Sequence, residues 1–301
     1  MEVLGNLPAP ARRQFAEIGP VWGRDIPRHR DLVLQLYRPL LAAAPKSDVR
    51  VIRDIAYGAD PRQVLDVYRQ PSASGAPVVI FVHGGAFVRG DKDIDGEVYA
   101  NVLYYFARHD FLGLNMEYRR APEFKYPCGG QDVAAAVDWA RRHAREHGGD
   151  PERIFLVGHS AGGTHVATYA YDPAVRGLVG PEVKGLVLLS ARLRADALPG
   201  NPNADAVRAY FGSDESKYDQ LSPVMHGASS SLPVFIAIAE YENPYLDVYG
   251  AELFFRIAAA RGRAPRFLRL PRHNHISIVA HLNTEEDILG AEIRDFLATE
   301  C

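Results

Sequence analysis

Apolar residues in the first 48 positions recur at helical spacing, with Ile26, Val33 and Tyr37 on one row and Leu32, Leu36 and Leu40 on another. This predicts helical stretches near 10–18 and 28–44, broken by Gly19-Pro20 and closed by Pro45. From residue 49 the period changes. Short β-rich runs at 50–57, 64–69, 78–82, 111–118, 154–158, 185–190, 234–239 and 266–270 alternate with amphipathic stretches at 96–108, 130–146, 164–171, 246–261 and 285–299. The runs VVIFV, IFLVG and VFIAIA are apolar without alternation, as in strands buried on both faces of a parallel sheet. The short Asp60-Pro61 turn between the first two runs predicts an antiparallel opening. The expected fold class is α/β, a mostly parallel, doubly wound eight-stranded sheet over residues 49–301. Two stretches stand outside that alternation: 1–48, read as a helical cap, and 192–232, a Pro-, Asn-, Asp- and Ser-rich insertion carrying Tyr210, Phe211 and Tyr218. Segments over the carboxyl edge of such a sheet shape its ligand pocket.

Charge changes little in this picture. The 34 basic and 37 acidic side chains interleave to a net −3, which argues against a nucleic-acid partner. The opening MEVLGNLPAPARRQ lacks an apolar run of signal-peptide length, and no window approaches a membrane span. Two cysteines, Cys128 and Cys301, make no disulfide framework. The expectation is a cytoplasmic protein with no membrane partner.

Chemistry enters at two glycine-rich turns. After the run RIFLV, Gly158-His159-Ser160-Ala161-Gly162-Gly163 places G-x-S-x-G between a strand and a helix, the setting in which a serine is held on a sharp turn as a nucleophile. After VVIFV, His83-Gly84-Gly85-Ala86-Phe87 forms a loop whose amides can meet a developing oxyanion. Gly85 and Ala86 are the candidate donors, with Ala161 at the helix start as a third. The bland alternatives, a Gly-rich strand-to-helix turn and a turn beside a buried histidine, lose weight because both motifs occur in the expected strand order.

HGGAF, Tyr118-Arg119-Arg120-Ala121-Pro122-Glu123 and GHSAGG together resemble the hormone-sensitive-lipase-like carboxylesterase branch of the α/β-hydrolases over roughly residues 50–300. The resemblance implies the α/β-hydrolase fold, an N-terminal helical cap, a serine carboxylesterase activity and no cofactor. This chain departs from the family pattern at Ala86 (third glycine of HGGG), at Arg120 (leucine) and at His159 (often aspartate). A backbone donor survives the first change. Some members pair edge to edge through the last strand and C-terminal helix, so a homodimer is one arrangement open to this chain.

The order nucleophile, acid, histidine puts the acid after VFIAIA, where Glu240, Glu242 and Asp247 compete. The family's aspartate-Pro-Leu pattern favours Glu242, with Asn243 intruding before Pro244; Asp247 also suits the start of a helix. The base belongs near the last strand, where His273 and His275 compete. Family members commonly follow the histidine with a small or apolar residue, which favours His275 before Ile276. Aromatic residues of the two outlying stretches, above all Trp22, Tyr210 and Phe211, together with Phe87 and His159, are candidates for binding a small to medium uncharged ester. Packing the cap onto the core is the competing role.

Three further patterns are weighed and set aside. Asp91-Lys92-Asp93-Ile94-Asp95-Gly96 opens like a calcium loop, but Val102 stands where a bidentate glutamate belongs. His143 and His147 share a helix face without the H-E-x-x-H order, and no metal is expected. Cys128 at a helix start reads as packing rather than as a reactive thiol. Two rivals to the esterase remain. One is an arylformamidase-like amide hydrolase, a family that usually has Trp where Phe87 stands. The other is a hydrolase-fold receptor, which would be expected to have lost a triad member.

Overall fold

The computed structural model describes residue 4, residues 7–176 and residues 180–299; Cys301 lies outside them. Eight strands form one sheet: β1 (Arg50–Ala56), β2 (Val64–Arg69), β3 (Ala76–Val82), β4 (Leu112–Met116), β5 (Gly149–His159), β6 (Gly185–Leu189), β7 (Val234–Tyr241) and β8 (Arg266–Asn274). Their spatial order is β1-β2-β4-β3-β5-β6-β7-β8. Only β2 runs against its neighbours, pairing antiparallel with β1 and β4, as the short Asp60-Pro61 turn requires. Every residue of β4 and β6 is buried, whereas edge strand β1 is largely exposed. The apolar runs are therefore the ones covered on both faces.

Helices cover both sides. They are α1 (Ala9–Ile18), α2 (Ile26–Ala43), α3 (Ala100–Arg108), α4 (Cys128–His143), α5 (Ala161–Tyr171), the turn α6 (Pro173–Arg176), α7 (Ala204–Phe211), the turn α8 (Tyr218–Leu221), α9 (Leu246–Arg261), the turn α10 (Ser277–Ala280) and α11 (Ile288–Thr299). Asp25 caps α2 by accepting from the Arg28 amide at 3.2 Å, and the helix buries Val33, Tyr37 and Leu41 against the core. Several boundaries differ from the sequence pattern by a few residues, three of them with a local reason. Helix α3 starts at Ala100 because Tyr99 holds φ 74°. Strand β5 begins five residues early, at Gly149, whose backbone pairs with Ala76 across a register shift. Strand β8 runs on to Asn274 through Arg272 at φ 63°, opposite a register shift in β7. None of the described helices is long and apolar enough to cross a membrane.

Candidate active site

Strands β3, β5, β7 and β8 are parallel, so the residues that follow each of them arrive at the same edge of the sheet. Ser160 follows β5 and is held at φ 55°, ψ −119°, a conformation that costs on the order of 1–3 kcal/mol and persists only when its surroundings fix it. Its amide donates to Leu189 O at 3.0 Å. Close packing completes the constraint. A Cβ on Gly162 would lie 2.1 Å from Val82 O and 2.5 Å from His83 O, so the first turn of α5 sits directly on the end of β3.

His275 and Glu242 meet this serine from β8 and β7. Ser160 Oγ and His275 Nε2 are 3.1 Å apart, and His275 Nδ1–H donates to Glu242 Oε2 at 2.8 Å. Both partner side chains are almost wholly buried. The other carboxylate oxygen of Glu242 accepts from the Ala239 amide at 2.8 Å and from the Ser190 hydroxyl. The competing acids lie elsewhere: Glu240 accepts from the Arg272 amide and pairs with Arg269, and Asp247 sits in the first turn of α9. His273 also turns away from the site, reaching Glu286 at 3.0 Å and Ser277 at 3.1 Å in a fully buried cluster.

The HGGAF loop follows β3. Gly85, Ala86 and Phe87 take φ of 149°, 49° and 71°, and a Cβ on Gly85 would collide with Arg89 O at 1.8 Å. These torsions turn Gly85 and Ala86 onto the cleft, and neither amide donates to an acceptor among the described residues. The Ala161 amide, at the start of α5, is likewise uncommitted. Beneath the loop, His83 Nδ1–H donates to Gly84 O at 2.7 Å. Burial works against the charge on neighbouring Glu117, but hydrogen bonds and charge from His83, the Lys92 amide and Arg62 prevail and hold its carboxyl below the usual range.

The cleft encloses about 340 Å³. Trp22 and His159 line it. His159 is buried, and burial together with the adjacent His275 holds its pKa well below the ordinary histidine value. As the neutral ring, it donates from Nε2 to His275 O at 2.9 Å and accepts from the Tyr99 hydroxyl at 3.1 Å. It thus touches the backbone of the histidine that faces Ser160. The expectation that Phe87, Tyr210 and Phe211 wall the cleft needs correction, since none of them lines it. Phe87 stacks on Tyr210 at 4.6 Å and meets Phe211 edge-on at 5.5 Å, in a buried cluster that fixes α7 to the core.

Sequence reasoning passed over Ser190, Tyr99 and the role of Asn243. Asn243 Oδ1 accepts from Trp22 Nε1 at 2.9 Å, tying the N-terminal segment to the loop that carries Glu242. Its position beside Glu242 was the only signal. The set-aside motifs also find their places. Asp91, Asp93 and Asp95 pair with Arg62, Arg53 and Arg38, and His143 pairs with Glu146. Cys128 is buried, and burial pushes its thiol up to about 11, so it is not an activated nucleophile.

Comparison with known proteins agrees with this architecture. The BD-FAE family model matches residues 65–178. Esterase LipC of Mycobacterium tuberculosis is 42% identical over 120 residues, covering 39% of this chain and 29% of that protein. Esterase LipI of the same organism is 33% identical over 189 residues, covering 57% of each. The chain therefore spans less than two thirds of these curated relatives. The crystal structure of an inhibited esterase B from Lactobacillus rhamnosis superposes with a TM-score of 0.71 at 19% identity, over 95% of this chain and 96% of that one, a likeness of fold.

Proposed function

We propose, from the α/β-hydrolase fold and the likeness to the hormone-sensitive-lipase-like carboxylesterase branch, that this chain is a serine hydrolase of small to medium carboxylic esters. The observation that carries the reading is the unbroken run from Ser160 Oγ to His275 Nε2 and from His275 Nδ1 to Glu242, on the edge where the HGGAF amides collect.

In this mechanism Ser160 Oγ attacks the ester carbonyl carbon as its proton passes to His275 Nε2. Glu242 keeps His275 in the tautomer with hydrogen on Nδ1 and stabilises the imidazolium that forms. The amides of Gly85, Ala86 and Ala161 take the oxyanion; they are already aimed and bound to no acceptor among the described residues, so little reorganisation is needed. His275 returns the proton to the departing alcohol oxygen, leaving an acyl group on Ser160. Water then attacks by the same sequence and frees the acid. Neutral His159, between Tyr99 and His275 O, acts as a positioning residue that fixes the base without competing for its proton.

The test is hydrolysis of p-nitrophenyl acyl esters from C2 to C12 by the native protein and Ser160→Ala. Turnover is expected to favour short chains and to vanish in the variant, with its far-UV dichroism unchanged. Hydrolysis undiminished in Ser160→Ala removes the nucleophile assignment. If no ester is cleaved, formylated arylamines test the amide-hydrolase alternative.

A further inference from the structure

Among the described residues that line the cleft, the only Lys, Arg, Asp or Glu residues are two arginines, Arg30 from α2 and Arg89 from the turn after HGGAF. The molecule as a whole carries a net charge of −3, and many of its arginines, such as Arg119, Arg192 and Arg194, pair with carboxylates. Arg89 has no carboxylate partner among the described residues. Its one side-chain hydrogen bond is from Nη2 to the neutral amide oxygen of Asn203 at 2.9 Å, which leaves Nε and Nη1 uncommitted. Arg30 donates from Nε and Nη2 to Asp31 Oδ1 at 3.0 and 2.8 Å, and its Nη1 has no acceptor among the described residues. The two guanidinium groups feel one another: partial burial, then the charge of Arg30, lowers the pKa of Arg89. Like charges gathered over a cleft otherwise lined by Trp22, Ile26, Leu34, Val98 and Val279 are unfavourable until an anion arrives between them. With Nη2 giving one hydrogen to Asn203, the second Nη2 hydrogen and those on Nε and Nη1 still offer N–H donors that suit the oxygens of a carboxylate.

We infer that the ester cleaved at Ser160 carries a free carboxylate, which Arg89 and Arg30 hold while the apolar part of the substrate lies against Trp22 and Leu34. This deepens the esterase reading and rests on it, and it replaces the uncharged ester that the aromatic composition suggested. The arginines do not touch the scissile bond; they are specificity residues that fix the far end of the substrate.

The experiment uses two matched pairs of esters. On the acyl side, the mono-p-nitrophenyl ester of adipic acid is compared with p-nitrophenyl hexanoate. On the alcohol side, 4-acetoxybenzoate is compared with its methyl ester. The native protein is expected to favour the acidic member of one pair in kcat/KM. Arg89→Gln should lower that acid-to-neutral ratio about tenfold, the low end for a hydrogen bond to a charged group because Arg89 reaches solvent. Arg30→Gln should act in the same direction, and 1 M NaCl should shrink the ratio. No preference in either pair, or a preference that survives both substitutions, overturns the inference and leaves the esterase reading standing. Calorimetric binding of the uncleaved esters to Ser160→Ala separates the two claims. If native protein cleaves none of the four, the esterase reading falls. Arginine-dependent binding of the acidic ester then still supports the anion site, and equal binding of acidic and neutral esters overturns it.

Discussion

Acidification from pH 7 to pH 5 should weaken the fold before the carboxylates titrate, because buried histidines must charge on unfolding. Burial takes His165 to about 3 and His281 to about 4, from 6.5 in an unfolded chain. The folded-state values are depressed, so between 6.5 and 4 the unfolded chain binds the extra protons and stability falls as pH falls. At pH 5 each histidine is mostly charged when unfolded and mostly neutral when folded, a difference of about 2 kcal/mol per ring and about 4 kcal/mol for the pair. His159 adds in the same direction. Glu117 and Glu286, held below the ordinary 4.5, keep their stabilising contribution in full above that value and lose it only as pH falls below it, so they add little to the change between pH 7 and pH 5. The assay is urea unfolding at pH 7 and pH 5 for the native protein and His165→Phe. The loss between the two pH values should be smaller in the variant by about 2 kcal/mol, since His165 supplies half of the pair's effect. Equal losses in both proteins would show that the ring does not titrate on unfolding and would refute the reasoning.

Three further perturbations probe the site. Glu242→Gln keeps the shape but withdraws the charge behind His275, and kcat on p-nitrophenyl butyrate should fall about a thousandfold or more; a loss of less than tenfold would mean another group orients the base. Asn243→Ala removes the acceptor of the Trp22 indole and should cost about 1 kcal/mol in denaturant unfolding, with KM rising more than kcat falls as the cleft wall loosens. Gly162→Ala forces a Cβ to within 2.1 Å of Val82 O, so Tm should drop by on the order of 5 °C or more in calorimetry, and an unchanged Tm would mean that α5 can lift off β3 freely.

The features legible in the sequence are those with a local cause. Unbroken apolar runs marked the doubly buried strands, and glycines marked the two turns where the backbone approaches most closely, at Gly85 and Gly162. Chain order narrowed the acid and base to a few candidates. That Glu242 meets His275 while Glu240 meets Arg272 depends on strand β7 ending at Tyr241, which turns the two carboxylates to different partners. Less legible were contacts between distant residues. Trp22 and Asn243 are 221 positions apart, and no local pattern announces their hydrogen bond. Phe87, Tyr210 and Phe211 satisfy one another, and composition cannot distinguish a pocket wall from a stacked cluster. Arg30 and Arg89 were lost among interleaved charges, since their meeting at one cleft exists only in three dimensions.

The N-terminal segment and the sheet edge contribute different parts of the cleft. Trp22, Ile26, Arg30 and Leu34 shape one wall of the cleft, while Ser160, Glu242 and His275 all come from the sheet edge. Selectivity can therefore drift through exchange of a contiguous stretch, residues 9–43, while the reactive groups stay untouched. On the proposed esterase reading, a chimaera carrying that stretch from a related protein would inherit a new preference at one end of the substrate, provided its contact with Asn243 is carried across. The Trp22 indole bond to Asn243, the Arg38–Asp95 pair and the packing of Phe15, Val33 and Tyr37 hold that stretch in place.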